Sequence, residues 1–582
     1  MMKAVGIDFG TTNSLVAWMD GDAPLIIPNE RGDRHTPSVV ALDSGGRFLV
    51  GESARNQALA DPSKALAGVK RLLGKGGRPV LGGTAYDAEE LAAAVFSKLR
   101  RDAQAFLGVD ELEAVVTVPA RFSDPQRRAV REAARRAGIR VRRVMNEPTA
   151  AALARAWLLA SAGPERAGGG DTAAPDPGAS GDRLILVYDF GGGTFDATAL
   201  RSRGSSCRVL ASEGDDGLGG MDLDAALYRE TAGRFESDFG IKPDDDPYLA
   251  RMLLDLCEKA KIELSSREEA VVAVPFLRGP GGVLHPSVTI GRARFEELAR
   301  PFIERSLELT RRVLAAAGAE RADALVLSGG SSRIPLVAGM VAELCGRAPD
   351  PRVNPEELVA LGAAVEAARL EGRLPRSVAG FEFTDLCSRS FGLEIDGGGF
   401  IPLIKKGEPL PALGQRVFTT VEDYQKSVEM HVMQYDGGEA SGPTLAAAPD
   451  AEPVSVGRFL LPGIRAARRG EPRILVEFSL DEGDLLLVSA KDLDTGAEQS
   501  VRFFEGRDEL LSPADRALSL AARAKREADA AELDGLLSAE LEELSSMAME
   551  AARAADNEKA GRCATLLEGL LAEIAARPPR RS

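Results

Sequence analysis

Two short apolar, β-branched runs in this chain end in the same way. Val5-Gly6-Ile7 leads into Asp8-Phe9-Gly10-Thr11-Thr12-Asn13-Ser14, and Leu184-Ile185-Leu186-Val187-Tyr188 leads into Asp189-Phe190-Gly191-Gly192-Gly193-Thr194-Phe195-Asp196. Runs of this length, closed by Gly and Thr, predict buried strands that turn into tight hairpins. Their repetition predicts two similar lobes that grip one ligand from either side. Between and after them the period becomes helical: amphipathic helices are expected over 89–107, 124–137 (with Gly138 as cap), 248–266 and 294–317, and another is opened by Asn354-Pro355-Glu356-Glu357. Ala324–Pro335 reads as strand, glycine turn and helix start. Residues 161–182, rich in Gly, Ala, Pro and Asp, have no apolar period and predict a flexible insertion. After a junction near 378–386, residues 390–501 alternate in short runs between Gly and Pro turns, which predicts an all-β domain containing a polar loop over 437–452. From Ser512-Pro513 to about Ala576 the pattern is helical again.

The hairpins also carry chemistry. Glycines admit a backbone close to a ligand, successive N–H groups in a tight turn make an anion nest, and Thr hydroxyls add donors. A strand-end Asp can hold Mg²⁺ through water. Gly68 through Lys75 comes near a P-loop, but its glycine and lysine spacing is wrong and the motif is rejected. Lys70 and Arg71 are then either solvated charges or the cations that a triphosphate needs. Glu147, just before Pro148, stands at a helix entrance, where it is either a cap or a catalytic carboxylate. Glu258, Lys261 and Ser265 share one helix face.

Composition narrows this little. At 582 residues the chain allows about four domain-sized units, and its apolar (44%) and charged (27%) fractions are those of a soluble globular protein. A net charge of −16 argues against nucleic acid or an anionic membrane as principal partner. Five scattered cysteines, with no Cys-x-x-Cys pair or His cluster, support neither a zinc site nor a disulfide frame. With no charged leader or spanning apolar run, the expected location is the cytoplasm.

Taken in order, these motifs resemble the heat-shock protein 70 chaperones of DnaK type. The resemblance is carried by Gly6–Ser14, Val116-Thr117-Val118-Pro119-Ala120, Asn146–Leu153, Asp189–Asp196, Glu258–Ser265 and Gly329–Pro335, and extends through Val417–Gln425 and Val488–Asp492. It implies an actin-like (ribonuclease H-like) two-lobed α/β ATPase domain over 1–374, a linker over 375–386, a β-sandwich peptide-binding domain over 387–507 and a helical lid over 508–582. It implies ATP and Mg²⁺ as cofactors, with K⁺ as an accompanying ion. Gly10, Thr11, Thr12 and Asn13 would form one phosphate loop and Gly191, Gly192, Gly193 and Thr194 the other. Asp8 and Asp189 would hold Mg²⁺ through waters, while Lys70 and Glu147 would act on the γ-phosphate and the attacking water, alongside Thr194. Glu258, Lys261, Ser265, Gly329, Gly330, Ser331, Arg333 and Glu356 would receive the nucleoside. Pro119, Arg127 and Asp385 would relay the nucleotide state to a peptide site formed by Leu393, Ile395, Asp396, Phe418, Val421, Val428 and Met430. Implied partners of the expected monomer are unfolded client peptides, a J-domain co-chaperone and a GrpE-type exchange factor, in a stress response.

The chain departs from the family pattern in several places. Gly380–Asp385 replaces a leucine-rich linker, Asp396 replaces an apolar arch residue, Arg121 an aromatic and Glu356 an Asp, and Ile262 leaves Arg333 as the single adenine-stacking arginine. The segment 75–89 and the lid are short, similar to specialised HscC-like members. Two other readings compete: a sugar or acetate kinase on the same fold, which would have no use for the β domain, and a nucleotide-binding scaffold with uncoupled chaperone activity. A protein kinase lacks its His-Arg-Asp loop and Val-Ala-Ile-Lys strand here.

Overall fold

A computed structural model describes residues 3–161, 182–203, 206–279, 282–352, 354–374, 382–395, 399–435, 453–481, 486–503 and 543–548, with scattered positions between 559 and 570. The chain divides into two compact units, Met1–Leu386 and Cys387–Ser582. The expected insertion (apart from its end residues), most of the lid, Asp396 and the loop 437–452 lie outside the described residues.

The first unit contains two sheets with the same local wiring. In one, β1 (Lys3–Asp8), β2 (Asn13–Asp20), β3 (Ala23–Ile27), β4 (Leu112–Val118) and β5 (Arg140–Asn146) stand in the order β5-β4-β1-β2-β3. In the other, β6 (Arg183–Phe190), β7 (Phe195–Arg203), β8 (Ser206–Asp215), β9 (Ala324–Ser328) and β10 (Glu382–Thr384) stand in the order β9-β6-β7-β8-β10. In each, the Asp-Phe-Gly strand is an interior strand, folds back antiparallel through its glycine hairpin, and has a parallel neighbour on the other side (β4 or β9). The apolar runs are buried as their lack of alternation predicts. Strand β10 falls in the expected junction, where the sequence indicated no strand; it pairs in parallel with Ser206–Arg208 at the sheet edge.

Helices α1 (Glu52–Ala60), α2 (Ala88–Leu107), α3 (Asp124–Arg136), α4 (Glu147–Ser161), α5 (Gly220–Phe239), α6 (Pro247–Leu264), α7 (Arg292–Ala316), α8 (Pro335–Cys345) and α9 (Leu358–Leu370) complete the unit. Their ends follow local chemistry. Ser123 and Gln126 make a capping box on α3, and Gly138 takes the left-handed turn (φ 76°) just past it. Each sheet has its own apolar core, and a third core joins them: α4 and α9 meet strand residues Val115, Ile185, Val187 and Val326. The helices are held close by glycine. A Cβ on Gly362 would lie 1.8 Å from the Ala150 carbonyl oxygen, and one on Gly6 would lie 2.2 Å from the Ala364 nitrogen. Strand β1 and helix α4, which carry Asp8 and Glu147, are therefore fixed to one another through α9.

The second unit pairs two four-stranded antiparallel sheets. One has β11 (Ser390–Ile395), β12 (Gly399–Ile404), β14 (Ser427–Tyr435) and β15 (Val454–Pro462), and the other has β13 (Ala412–Phe418), β16 (Ile474–Leu480), β17 (Leu486–Asp492) and β18 (Glu498–Phe503). Inward positions such as Val432, Ile474, Val476, Phe478 and Val488 make a shared core, the arrangement of a sandwich. All five cysteines are buried and unbridged.

Candidate functional site

The repeated hairpins bring their Asp residues to equivalent ends of β1 and β6. Each Asp is anchored by a hydroxyl from the last register position of its parallel neighbour. Thr117 Oγ1 donates to Asp8 Oδ1 (3.2 Å), and Ser328 Oγ donates to Asp189 Oδ2 (3.0 Å). Thr117 and Ser328 were not singled out from sequence, because register between distant strands has no local signature.

Both hairpins open onto one cavity of about 470 Å³, within the usual size range for small-molecule sites. Its wall includes Asp8, Gly10, Thr11, Thr12, Asn13, Asp189, Gly191, Gly192 and Thr194 from the two hairpins, with Lys70 from the turn Val69–Leu72 and Glu147 from α4. Glu258, Lys261, Ser265, Gly329, Gly330, Ser331, Arg333 and Glu356 line it as well, together with His35, Ile262, Pro355 and Val359. Gly193 does not reach the wall. Its carbonyl instead accepts from Arg71 Nε (2.9 Å) and Nη2 (2.6 Å), and Arg71 Nη2 also reaches Asp222 Oδ2 at 2.8 Å. Arg71 thus ties the turn that carries Lys70 to the second glycine loop. The loops touch closely: a Cβ on Gly193 would come within 2.4 Å of Thr11, and one on Gly192 within 2.0 Å of Thr12.

At the inner end Lys70 Nζ meets Glu147 Oε1 at 2.5 Å, and both side chains are buried. Four buried carboxylates, Asp8, Glu147, Asp189 and Asp196, thereby share a site with one buried lysine. Burial, then repulsion from Glu147, pushes Asp8 up to about 7 and Asp189 up to about 8. The same two causes hold Asp196 well above the usual carboxylate range, and its Oδ1 is buried without a hydrogen-bond partner. At the outer end Glu258 pairs with Arg55, Lys261 Nζ is held by Asp224 (2.8 Å) and the Gly220 carbonyl (3.1 Å), and Ser331 Oγ donates to the Gly191 carbonyl (2.9 Å). Arg333 lies against Glu356 (3.3 Å) and Asn354 (2.7 Å).

An Hsp70 protein family model matches residues 4–80 and 77–564 of the chain. The chain belongs to the Hsp70 family. Among relatives, chaperone protein DnaK from two strains of Halobacterium salinarum is 40% identical over 503 residues, which is 86% of this chain and 74% of the relative. The Hsp70 assignment makes the chain an ATP-dependent molecular chaperone, with a two-lobed ATPase region followed by a β sandwich.

The remaining Hsp70 positions fall into two groups. Pro119 and Arg127 are buried; Arg127 donates to the Phe122 carbonyl and to Asn146, and Asn146 Nδ2 (3.1 Å) and Thr149 Oγ1 (2.8 Å) both donate to Asp385 Oδ2. Asp385 is therefore bonded to the two neighbours of the Glu147-Pro148 helix entrance. The peptide positions are not gathered in the same way. Leu393 and Met430 are buried in the sandwich core, Phe418 and Val428 pack against it, Ile395 is half-buried, and Val421 is exposed. Among the described residues no helix is long and apolar enough to cross a membrane.

Proposed function

We propose that this chain hydrolyses ATP in the inter-lobe cavity and uses the nucleotide state to control peptide capture by the sandwich. The observation that carries the reading is the buried Lys70–Glu147 pair, set among Asp8 and Asp189 where the two glycine loops meet. Phosphoryl transfer to water needs placement and charge neutralisation rather than covalent chemistry, and this residue set supplies both. Lys70 neutralises γ-phosphate oxygens and helps position the attacking water, and Glu147 orients that water or accepts its proton. Thr11, Thr12 and Thr194 and the backbone N–H groups of the glycine loops hold the phosphates. Glu258, Lys261, Ser265, Ser331 and Arg333 receive the nucleoside, with Ile262 offering an apolar face.

The donor set suits Mg²⁺. Two buried carboxylates that burial and repulsion from Glu147 hold near neutral range, with a buried, unpartnered Asp196 oxygen, call for added positive charge, and carboxylate with water is the ligand set this ion prefers. Asp8 and Asp189 would hold it through water, and when bound it supplies neutralisation of phosphate charge.

Glu147 and Asn146 are consecutive, so a shift at the catalytic carboxylate reaches Asp385 through a single hydrogen bond. This supports Pro119, Arg127 and Asp385 as the relay, whereas Leu393, Ile395, Phe418, Val421, Val428 and Met430 as peptide contacts, and the segment after 508 as a lid, rest on the likeness to Hsp70 proteins. The partners in this reading are extended apolar client segments, a J-domain protein and a GrpE-type exchange factor. Single-turnover ATP hydrolysis, measured alone and with an unfolded peptide plus a J-domain protein, tests it. Stimulation by the pair is expected; an unchanged rate would leave a nucleotide-binding scaffold.

A further inference from the structure

Residues 124–143 contain eight arginines and only two acids, in a chain whose net charge is −16. The segment forms α3, the following turn and β5, which is the edge strand of its sheet. None of the reactions above uses its outer surface. Arg127 and Arg143 are buried, but Arg136, Arg140 and Arg142 remain exposed.

Their acidic neighbours are shared. Glu132 pairs with Arg135 (2.7 Å) and Arg136 (2.8 Å), and Glu113 on β4 pairs with Arg140 (3.0 Å) and Arg142 (2.6 Å). On β5, the single Glu113 carboxylate between the Arg140 and Arg142 guanidiniums leaves positive charge in excess. Hydrogen bonds from Arg135 and Arg136 hold the Glu132 carboxyl down to about 2, so it stays ionised and the surplus does not depend on its titration. A further arginine enters from α2. The Arg100 guanidinium lies against Gly138 in the turn between α3 and β5, where a Cβ would approach its Nη1 to 2.2 Å. Arg100 Nε is buried and has no hydrogen-bond partner. The turn is thus flanked by Arg136 on one side and Arg140 on the other, with Arg100 across it.

We infer that this face docks a short glutamate- or aspartate-rich segment of a partner protein. Guanidinium groups present planar forks that match carboxylates in pairs, which fits a cluster made wholly of arginine. Length follows from the surroundings. The patch is a basic island on an acidic protein, and beyond roughly 8 Å its attraction is screened at physiological salt. A long polyanion such as RNA would run off the island onto like charge, whereas a short acidic segment ends within it.

The test uses the full chain and a fluorescently labelled short glutamate-rich peptide, read by anisotropy. Binding is expected, fading as salt rises and weakening about tenfold in Arg140→Glu/Arg142→Glu. Arg311→Glu, on an exposed position of α7, is expected to leave binding unchanged, and basal ATP hydrolysis should persist in both variants. Should the double reversal not fold, Arg140→Gln/Arg142→Gln serves in its place, with a smaller loss in the same direction. The inference is overturned if the peptide does not bind, if the β5 variants bind it as the parent does, or if a single-stranded oligonucleotide of equal length binds more tightly.

Discussion

The inner end of the proposed nucleotide cavity and the proposed peptide positions of the sandwich are built on opposite terms. The cavity concentrates buried charge: Asp8, Glu147 and Asp189 are gathered with Lys70, each bonded to a neighbouring strand or turn, and Asp196 is buried close behind them. The peptide positions are ordinary apolar side chains, of which Leu393 and Met430 lie in the same core as Ile474, Val476 and Phe478. A site for a charged ligand must keep groups where folding alone would not put them. A site for an extended apolar segment can be assembled from residues that folding already gathers. The first is therefore costly without its ligand, and the second is hard to separate from the fold.

The largest test of that contrast is Lys70→Ala. Loss of the buried cation at the inner end should lower single-turnover hydrolysis on the order of 10²–10³-fold while ATP still binds, because many other contacts hold the nucleotide. Near-normal turnover would remove Lys70 from the reaction. Next in size, Met430→Ala should cost the sandwich about 2–5 kcal/mol of stability, as for any buried large-to-small change, whereas Val421→Ala should stay within about 0.5 kcal/mol and act on peptide affinity instead. Denaturant unfolding and a labelled-peptide titration separate these. If Met430→Ala weakened peptide binding with stability intact, the division between core and peptide site would fail.

A further test is the pH dependence of stability without metal or nucleotide. Asp8 and Asp189 rise from an ordinary 3.8 to about 7 and about 8, so between those values the folded site keeps protons that the unfolded chain has released. Stability should thus fall as pH rises from about 5 to about 8, flatten above that, and show a shallower slope in Asp8→Asn. Mg²⁺ with ATP should remove the fall. A melting temperature that rises over the same range would contradict the buried-charge account.

Much of the cavity was legible because it is made of local signals. Asp-Phe-Gly after a β-branched run, Pro148 after Glu147, and a helix face bearing Glu258, Lys261 and Ser265 can each be read within a few residues. Whatever depends on long-range register could not be read so. Thr117 and Ser328 reach the Asp carboxylates only because β4 and β9 end level with β1 and β6. Arg71, adjacent to Lys70, looks like a solvated charge until Gly193 and Asp222 are folded beside it. Gly193 belongs to the motif, yet its carbonyl faces away to Arg71. The strand Glu382–Thr384 has too little apolar pattern to declare itself, and it exists because Ser206–Arg208 offers an edge.

That edge has a consequence for how the protein keeps to itself. A sheet margin with open N–H and C=O groups is a template for any passing strand. Here β10 occupies the margin of β8, using residues from the junction between the two units. Were the junction to peel away, three residues of β8 would offer their backbone to the surroundings, with the exposed side chain of Arg208 as the local charge that discourages pairing. A chaperone that handles aggregation-prone chains thus carries an edge of its own, covered by the segment that connects its units.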